Sequence, residues 1–194
     1  MLSSGLIKDI PDEQPLIFLS ADHLIEKFHK FNSEIKKNVK FLNNNNVFIF
    51  GIKPSEPSDQ YGYFLTKRKK SLNVVSKFIE KPTKEKAKAI IVNGGYWNSG
   101  IFFLRKDSLK YNFQKYQKSI YKHSLKAIND SKLKNNVYFL SKKAFDKNTS
   151  KSFDYAILEK TKNINAIKLN IPWSDLGSWK QILIMFYKNK KNTS

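Results

Sequence analysis

Leu16-Ile17-Phe18-Leu19-Ser20-Ala21-Asp22-His23-Leu24-Ile25 is the stretch on which the reading of the fold turns. Four apolar residues in a row, without polar alternation, have the pattern of a strand buried on both faces. The run stops at a polar cluster that carries a carboxylate and an imidazole. Apolar residues resume at Leu24, Ile25, Phe28, Phe31 and Ile35, the spacing of one helix face, so a helix is predicted from Leu24 onward. A strand, a polar loop and a helix in that order are one unit of an α/β sheet.

The same alternation continues outward. Val47-Phe48-Ile49-Phe50-Gly51-Ile52 reads as a second strand, closed by Pro54 and Pro57. Further strands are expected over 61–65, 74–79, 101–104 and 164–169. Thr83 is placed to cap a helix over Lys84–Val92, ended by Asn93-Gly94-Gly95. The Lys- and Asn-rich stretch 109–150 reads as helix with loops. Ser152 starts another helix, 172–177 is a loop, and 178–187 is a last helix ahead of a frayed basic tail, 188–194. Interleaved strands and helices predict a sheet with helices on both faces, whose ligands lie beyond the carboxyl ends of the strands. At 194 residues the chain is read as one domain over 1–187 plus the tail.

The formal charge is +20, from 36 basic and 16 acidic residues. Of the basic residues only Arg68 and Arg105 are Arg. Surfaces that read nucleic acid lean on Arg forks for bidentate and stacking contacts, so a Lys surface argues against base reading and leaves anion binding as the general expectation. A Lys-rich anion- or nucleic-acid-binding module stands as an alternative reading. There is no Cys, which removes disulfides and thiolate chemistry. No apolar run approaches the ~18 residues of a membrane span. Residues 1–15 carry Asp9, Asp12 and Glu13 and no signal-like apolar core, so a cytoplasmic chain without membrane partners is expected.

Only eight carboxylates follow residue 60, and in so basic a background they are candidates for specific tasks. Each polar cluster has two readings. Asp22 caps a helix, or it faces a cleft and holds a hard cation. Asp175, in Ser174-Asp175-Leu176-Gly177-Ser178, belongs to an ordinary turn, or it shares that cation with Asp22. Glu80-Lys81-Pro82 is a surface ion pair worth little, or a carboxylate for sugar hydroxyls beside an ammonium for phosphate. Tyr96-Trp97-Asn98-Ser99-Gly100 is a plain turn, or it presents an amide that donates to and accepts from a hydroxyl. His23 reads as a structural hydrogen-bonding residue.

In this order the clusters resemble those of the sugar-1-phosphate nucleotidylyltransferase family, and within it the bacterial mannose-1-phosphate guanylyltransferase branch. Leu16-Ile17-Phe18-Leu19-Ser20-Ala21-Asp22-His23 is similar to a strand ending in Pro-Ala-Asp-His. Phe50-Gly51-Ile52-Lys53-Pro54 with Tyr61-Gly62-Tyr63 resembles Phe-Gly-Ile-x-Pro and Gly-Tyr-Gly-Tyr. Phe78-Ile79-Glu80-Lys81-Pro82, Trp97-Asn98-Ser99-Gly100-Ile101-Phe102, Ser152-Phe153-Asp154-Tyr155-Ala156-Ile157-Leu158-Glu159-Lys160 and Trp173-Ser174-Asp175-Leu176-Gly177-Ser178-Trp179 each match a motif of that branch.

The resemblance implies a Rossmann-like mixed sheet with flanking helices, of the nucleotide-diphospho-sugar transferase type. It implies transfer of a guanylyl group from GTP to mannose 1-phosphate with release of pyrophosphate. It places Asp22 and Asp175 on Mg²⁺ and Lys81 on the phosphates as the catalytic cation. Glu80 and Asn98 would bind sugar hydroxyls, Gly62 would let backbone lie against substrate, and Asp154 and Glu159 would shape the sugar pocket. The family's glycine-rich triphosphate loop, Gly-Gly-x-Gly-Thr-Arg, has no counterpart in this sequence. The chain is therefore expected to represent an N-terminally incomplete catalytic domain, truncated or split, with doubtful activity alone. It would be completed by an N-terminal fragment or a homo-oligomer, or persist as an inactive sugar-phosphate-binding or regulatory remnant.

Overall fold

The computed structural model describes residues 1–177. The helix expected over 178–187, the tail 188–194, and Ser178 and Trp179 of the last motif lie outside the described residues.

The sheet is built around two strands that the sequence makes too apolar to leave in water. Strand β3, Val47–Ile52, is buried at every position. Its pleat sends Val47 and Ile49 into one core and Phe48, Phe50 and Ile52 into the other. Strand β6, Tyr96–Arg105, runs antiparallel to β3 and is the longest strand described. On its other edge β6 first meets β4, Tyr63–Lys69, and then β1, Pro15–Phe18. Strand β9, Ile164–Leu169, lies parallel to β3, and β5, Leu72–Ile79, joins β9 to β4. The sheet order is β1-β6-β3-β9-β5-β4, and because β4 also pairs with β6, five of the six strands close into a ring. The sheet is mixed, as expected from the motifs.

Helices cover both faces. On one, α1 (Leu2–Gly5), α4 (Lys106–Tyr116) and α5 (Lys118–Asn129) contribute Leu2, Leu109, Phe113 and Ile128 to the core. On the other, α2 (Phe28–Asn38) and α3 (Lys84–Val92) contribute Phe31, Ala87 and Ile90. Thr83 caps α3 as predicted, accepting a hydrogen bond from the Lys86 backbone N–H.

Several local expectations change. The helix predicted from Leu24 begins at Phe28, because Leu24–Ile25 forms a short strand, β2, paired with Trp173–Ser174 in the stretch read as loop. The Trp97-Asn98-Ser99 segment is strand rather than turn. Within 109–150 a hairpin, Lys132–Lys134 with Val137–Phe139, interrupts the helices. The helix expected from Ser152 is a single π turn, Asp154–Leu158, a form that recurs at functional sites.

The first fourteen residues are tied to α4 by polar contacts. Carbonyls of Gln14 and Asp12 accept from the backbone N–H groups of Lys106 and Asp107, satisfying donors that a helix start leaves open. The Lys106 side chain is buried, and its Nζ donates to the carbonyls of Ile7, at 2.8 Å, and Ile10. Replacing it with Met keeps the stem and leaves the Ile10 carbonyl without its partner, at about 1–3 kcal/mol, while the Ile7 carbonyl keeps the Ile10 backbone N–H. Lys106→Met is expected to lower the thermal midpoint by roughly 4–8 °C and to expose residues 7–14 to limited proteolysis. Unchanged melting and digestion would show that this clamp contributes nothing.

Candidate functional site

The site begins with an irregularity in β6. Between the pairs Ile49↔Phe102 and Gly51↔Asn98, β3 passes one residue while β6 passes three. The extra length is absorbed at Gly100, whose φ of +74° belongs to the left-handed region that favours glycine. On the outer edge β1 reaches only to Phe102 and β4 begins at Trp97, so Ser99, Gly100 and Ile101 face no strand there. The loops after β1 and before β4 enter this gap.

On the β4 side, the Asn98 backbone N–H donates to the Gly62 carbonyl at 2.7 Å. Its side-chain Nδ2 donates to Asp154 Oδ1 at 2.7 Å, which fixes the amide orientation. Glu80 comes in from the end of β5, and a Cβ on Gly62 would lie 2.4 Å from Glu80 Oε2, so a larger residue there would push this carboxylate aside. Glu80 Oε2 is buried without a hydrogen-bond partner among the described residues. Burial, reinforced by the Asp154 carboxylate and eased by the Lys81 ammonium, pushes the Glu80 carboxyl up to about 7. Burial also raises Asp154, against backbone hydrogen bonds and the Asn98 amide that hold it down. Lys81 precedes Pro82 yet has φ +45°, a conformation that costs a non-glycine residue roughly 1–2 kcal/mol and that clusters at ligand sites. Glu80, Lys81, Asp154 and Glu159 line one cavity of about 550 Å³.

On the β1 side, the β2–β10 pairing sets Ser174 opposite Leu24, where β10 is Trp173–Ser174, and so brings the loop of Asp175 to the loop of Asp22. His23 lies near enough to both carboxylates to feel their charge. Its imidazole is lowered by burial, while Asp22 and Asp175 both act to raise it. Its Nδ1 is buried without a partner, so the expected hydrogen-bonding role is not seen at that atom among the described residues. His23 Cε1 lies 3.7 Å from where a Gly100 Cβ would stand. Asp175 Oδ1 accepts from the Gly177 backbone N–H, and neither Asp22 nor Asp175 has an ion pair among the described residues. Two carboxylates without ion pairs in a chain of charge +20 are hard-oxygen donors of the type that suits a divalent cation. No group of three or more metal-ligating side chains occurs among the described residues.

Asn98 and Gly100 are two residues apart in one strand, so the two halves adjoin along it. The structure thus gathers Gly62, Glu80, Lys81, Asn98, Asp154 and Glu159 on one side and Asp22 and Asp175 on the other. The sequence motifs assign no role to the aromatics that connect them. Trp173 meets His23 at 5.2 Å between ring centroids, Tyr61 meets Trp173 at 5.9 Å, and Trp97 meets Tyr61 at 4.7 Å. The available signal is position, since each aromatic adjoins a polar motif residue.

The chain matches the nucleotidyl transferase family over residues 4–192. It is 32% identical over 198 residues to mannose-1-phosphate guanylyltransferase 2 of Escherichia coli O157:H7, covering 95% of this chain and 40% of that protein. It is 32% identical to the xanthan biosynthesis protein XanB of Xanthomonas campestris pv. campestris, over 87% of this chain and 36% of that one. The chain therefore spans about two fifths of the length of these curated relatives. Among solved structures, one described as mannose-6-phosphate isomerase from Helicobacter pylori superposes with a TM-score of 0.79 at 26% identity, over 89% of this chain and 68% of that one. A second, described as mannose-1-phosphate geranyltransferase from Thermus thermophilus, gives 0.78 at 22% identity, over 89% and 50%, and supports the fold alone.

The Glu80 environment has a measurable consequence. A carboxyl raised from its ordinary 4.5 to about 7 favours the folded state while protonated, and that stabilisation is lost as pH rises through 7. Glu80→Gln mimics the protonated form at every pH. Its thermal midpoint is expected to match the parent near pH 5 and to exceed it by a few degrees at pH 8. Parallel melting profiles across that range would place Glu80 in a solvated setting.

Proposed function

The chain belongs to the nucleotidyl transferase family, and from that premise we propose that it carries the sugar-phosphate and metal side of a mannose-1-phosphate guanylyltransferase reaction. A phosphate oxygen of mannose 1-phosphate attacks the α-phosphorus of GTP, one P–O bond forms, and the bond to pyrophosphate breaks. Such transfers depend on positioning and on neutralising phosphate charge. The observation that carries the reading is the Gly62–Glu80–Asn98–Asp154 arrangement, with Lys81 beside it in the same cleft.

In this reading Glu80 and Asn98 hold sugar hydroxyls. Asp154 orients the Asn98 amide, and Glu159 borders the same cavity. Gly62 keeps the space that the Glu80 carboxylate occupies and brings backbone close to the sugar. Lys81, turned by its left-handed backbone, offers an ammonium to the sugar phosphate and the α-phosphate. Asp22 and Asp175 are the residues that would hold Mg²⁺, which when bound supplies charge neutralisation to the phosphates. The aromatic wall of Tyr61, Trp97 and Trp173 keeps the two halves at a fixed separation. The sequence contains no glycine-rich triphosphate loop, so the nucleotide side is assigned to a complementing segment, and GTP binding is not expected to be strong in residues 1–194 alone.

Titration calorimetry with Mg²⁺ and mannose 1-phosphate tests the reading. Saturable binding is expected, weakened at least tenfold by Lys81→Met. Pyrophosphate release from GTP is expected to be negligible for the chain alone and to appear with a complementing nucleotide-binding segment. In that reconstituted system Asp175→Asn should reduce turnover at least a hundredfold. Absence of mannose 1-phosphate binding would overturn the proposal. Binding that never leads to turnover under reconstitution would favour the inactive sugar-phosphate-binding reading.

A further inference from the structure

A cavity of about 530 Å³ opens at the opposite pole, where β3 and β9 begin and where β4 turns into β5. The proposed transfer chemistry, at the far ends of these strands, does not use it. Its floor contains Asn165, 7% exposed and placed in β9 on the face that Ile167 and Leu169 turn toward the core. Phe41 and Leu72, which line the cavity with it, pack against that same core. The cross-strand neighbours of Asn165 are Phe48 and Val74, neither of which has a polar side chain. Its amide makes no hydrogen bond among the described residues. Neither its nitrogen nor its oxygen is fully enclosed, so the amide opens on the cavity, and its hydrogen-bond partners must come from there.

The rim has an unusual feature of its own. Lys69, Lys70 and Lys162 are exposed around the opening and have no ion pair among the described residues. Lys70 is one of two residues turning β4 into β5, between the paired Lys69 and Leu72, and has φ +53°. Asn or Gly is favoured at such a position, and Lys adopts it at roughly 1–2 kcal/mol. An amide without a protein partner at Asn165 and an ammonium on the left-handed backbone of Lys70 thus border one cavity.

We propose that this cavity is a second binding site, for a nucleoside phosphate. The Asn165 amide pairs with the donor–acceptor edge of a base, as Asn amides do with adenine. Phe41 and Leu72 lie along the base, and the three ammonium groups take the phosphate as freely placed point charges. The size is that of an ordinary small-ligand pocket. The arrangement lacks carboxylates among its lining residues, unlike the cleft at the other pole, so it needs no metal to accept an anion.

AMP is the probe, titrated into the isotope-labelled chain at roughly physiological salt, with inorganic phosphate as comparator. Saturable shifts of the Asn165 side-chain amide signals are expected, with phosphate binding far more weakly. Asn165→Leu is expected to weaken AMP at least tenfold while leaving cooperative melting in place, which shows that the variant folds. The surface pair Lys70→Gln and Lys162→Gln is expected to weaken AMP without changing melting. AMP shifts confined to the Asp22–Asp175 pole, no saturable shift at all, or equal AMP affinity in Asn165→Leu would each overturn the proposal.

Discussion

Strand β6 is hydrogen-bonded along both edges, and along its outer edge the partner changes partway. From Phe102 to Arg105 it pairs with β1, and at Tyr96 and Trp97 it pairs with β4. The two-residue excess over β3 and the left-handed Gly100 fall between those regions. A continuous ladder would have covered Ser99, Gly100 and Ile101 with a strand. The break leaves backbone uncovered between two strand ends, and polar loops lie over it instead of apolar strand. The meeting of the Asp22 and Asp175 loops, the seat of His23 against Gly100 and the anchoring of Asn98 all lie at that interruption.

Electrostatics in the cleft run against the composition. A chain of charge +20 sets Glu80, Asp154 and Glu159 on one cavity, where Lys81 is the ammonium that acts on Glu80 and Asp154, and Lys151 and Lys160 stand on the same wall. Like charges in partial burial favour protonation, and the shift falls on Glu80, which has no partner at Oε2, more than on Asp154, which accepts from Asn98. A carboxyl near neutrality both donates and accepts, which suits a hydroxyl-rich ligand. The same field explains why Lys81 stays committed to the cleft despite its strained backbone.

Much of this is legible in the residues themselves, and the exceptions share one cause. Val47-Phe48-Ile49-Phe50 is apolar on both faces, and a central strand is its only comfortable setting. Thr83 ahead of a Lys- and Ala-rich run announces a cap. Leu24-Ile25 misleads because two apolar residues fit a helix stripe and a short strand equally; the choice is made by Trp173–Ser174, some 150 residues away. Trp97-Asn98-Ser99 looks like a turn because Asn, Ser and Gly are turn formers, and tertiary pairing with β3 outweighs that preference. The hairpin within 109–150 is hidden by Lys and Asn, which blur both periodicities. For the site, motif order identifies the polar side chains, but the reason for Gly62 emerges only from the position of the Glu80 carboxylate. Nothing local in the sequence marks Asn165, since an Asn beside Ile in a strand is unremarkable until its neighbours are known to be Phe48 and Val74.

The positive charge therefore does different work at the two poles. A net positive field concentrates anions around the whole surface without selecting among them. Selection depends on what stands beside the cations. At the cavity beside the β6 break, three carboxylates stand with Lys81, Lys151 and Lys160, so the local charge is close to balanced and the proposed Mg²⁺ would add the positive charge that a phosphate needs. At the start of β9, ammonium and amide groups stand without carboxylates among the lining residues, so an anion is favourable there with no metal. In the proposed reading, one sheet separates a metal-dependent anion site from a metal-independent one along the length of its strands. The Lys-rich composition, which as a bulk number discriminates nothing, becomes informative once each Lys is assigned to a pole.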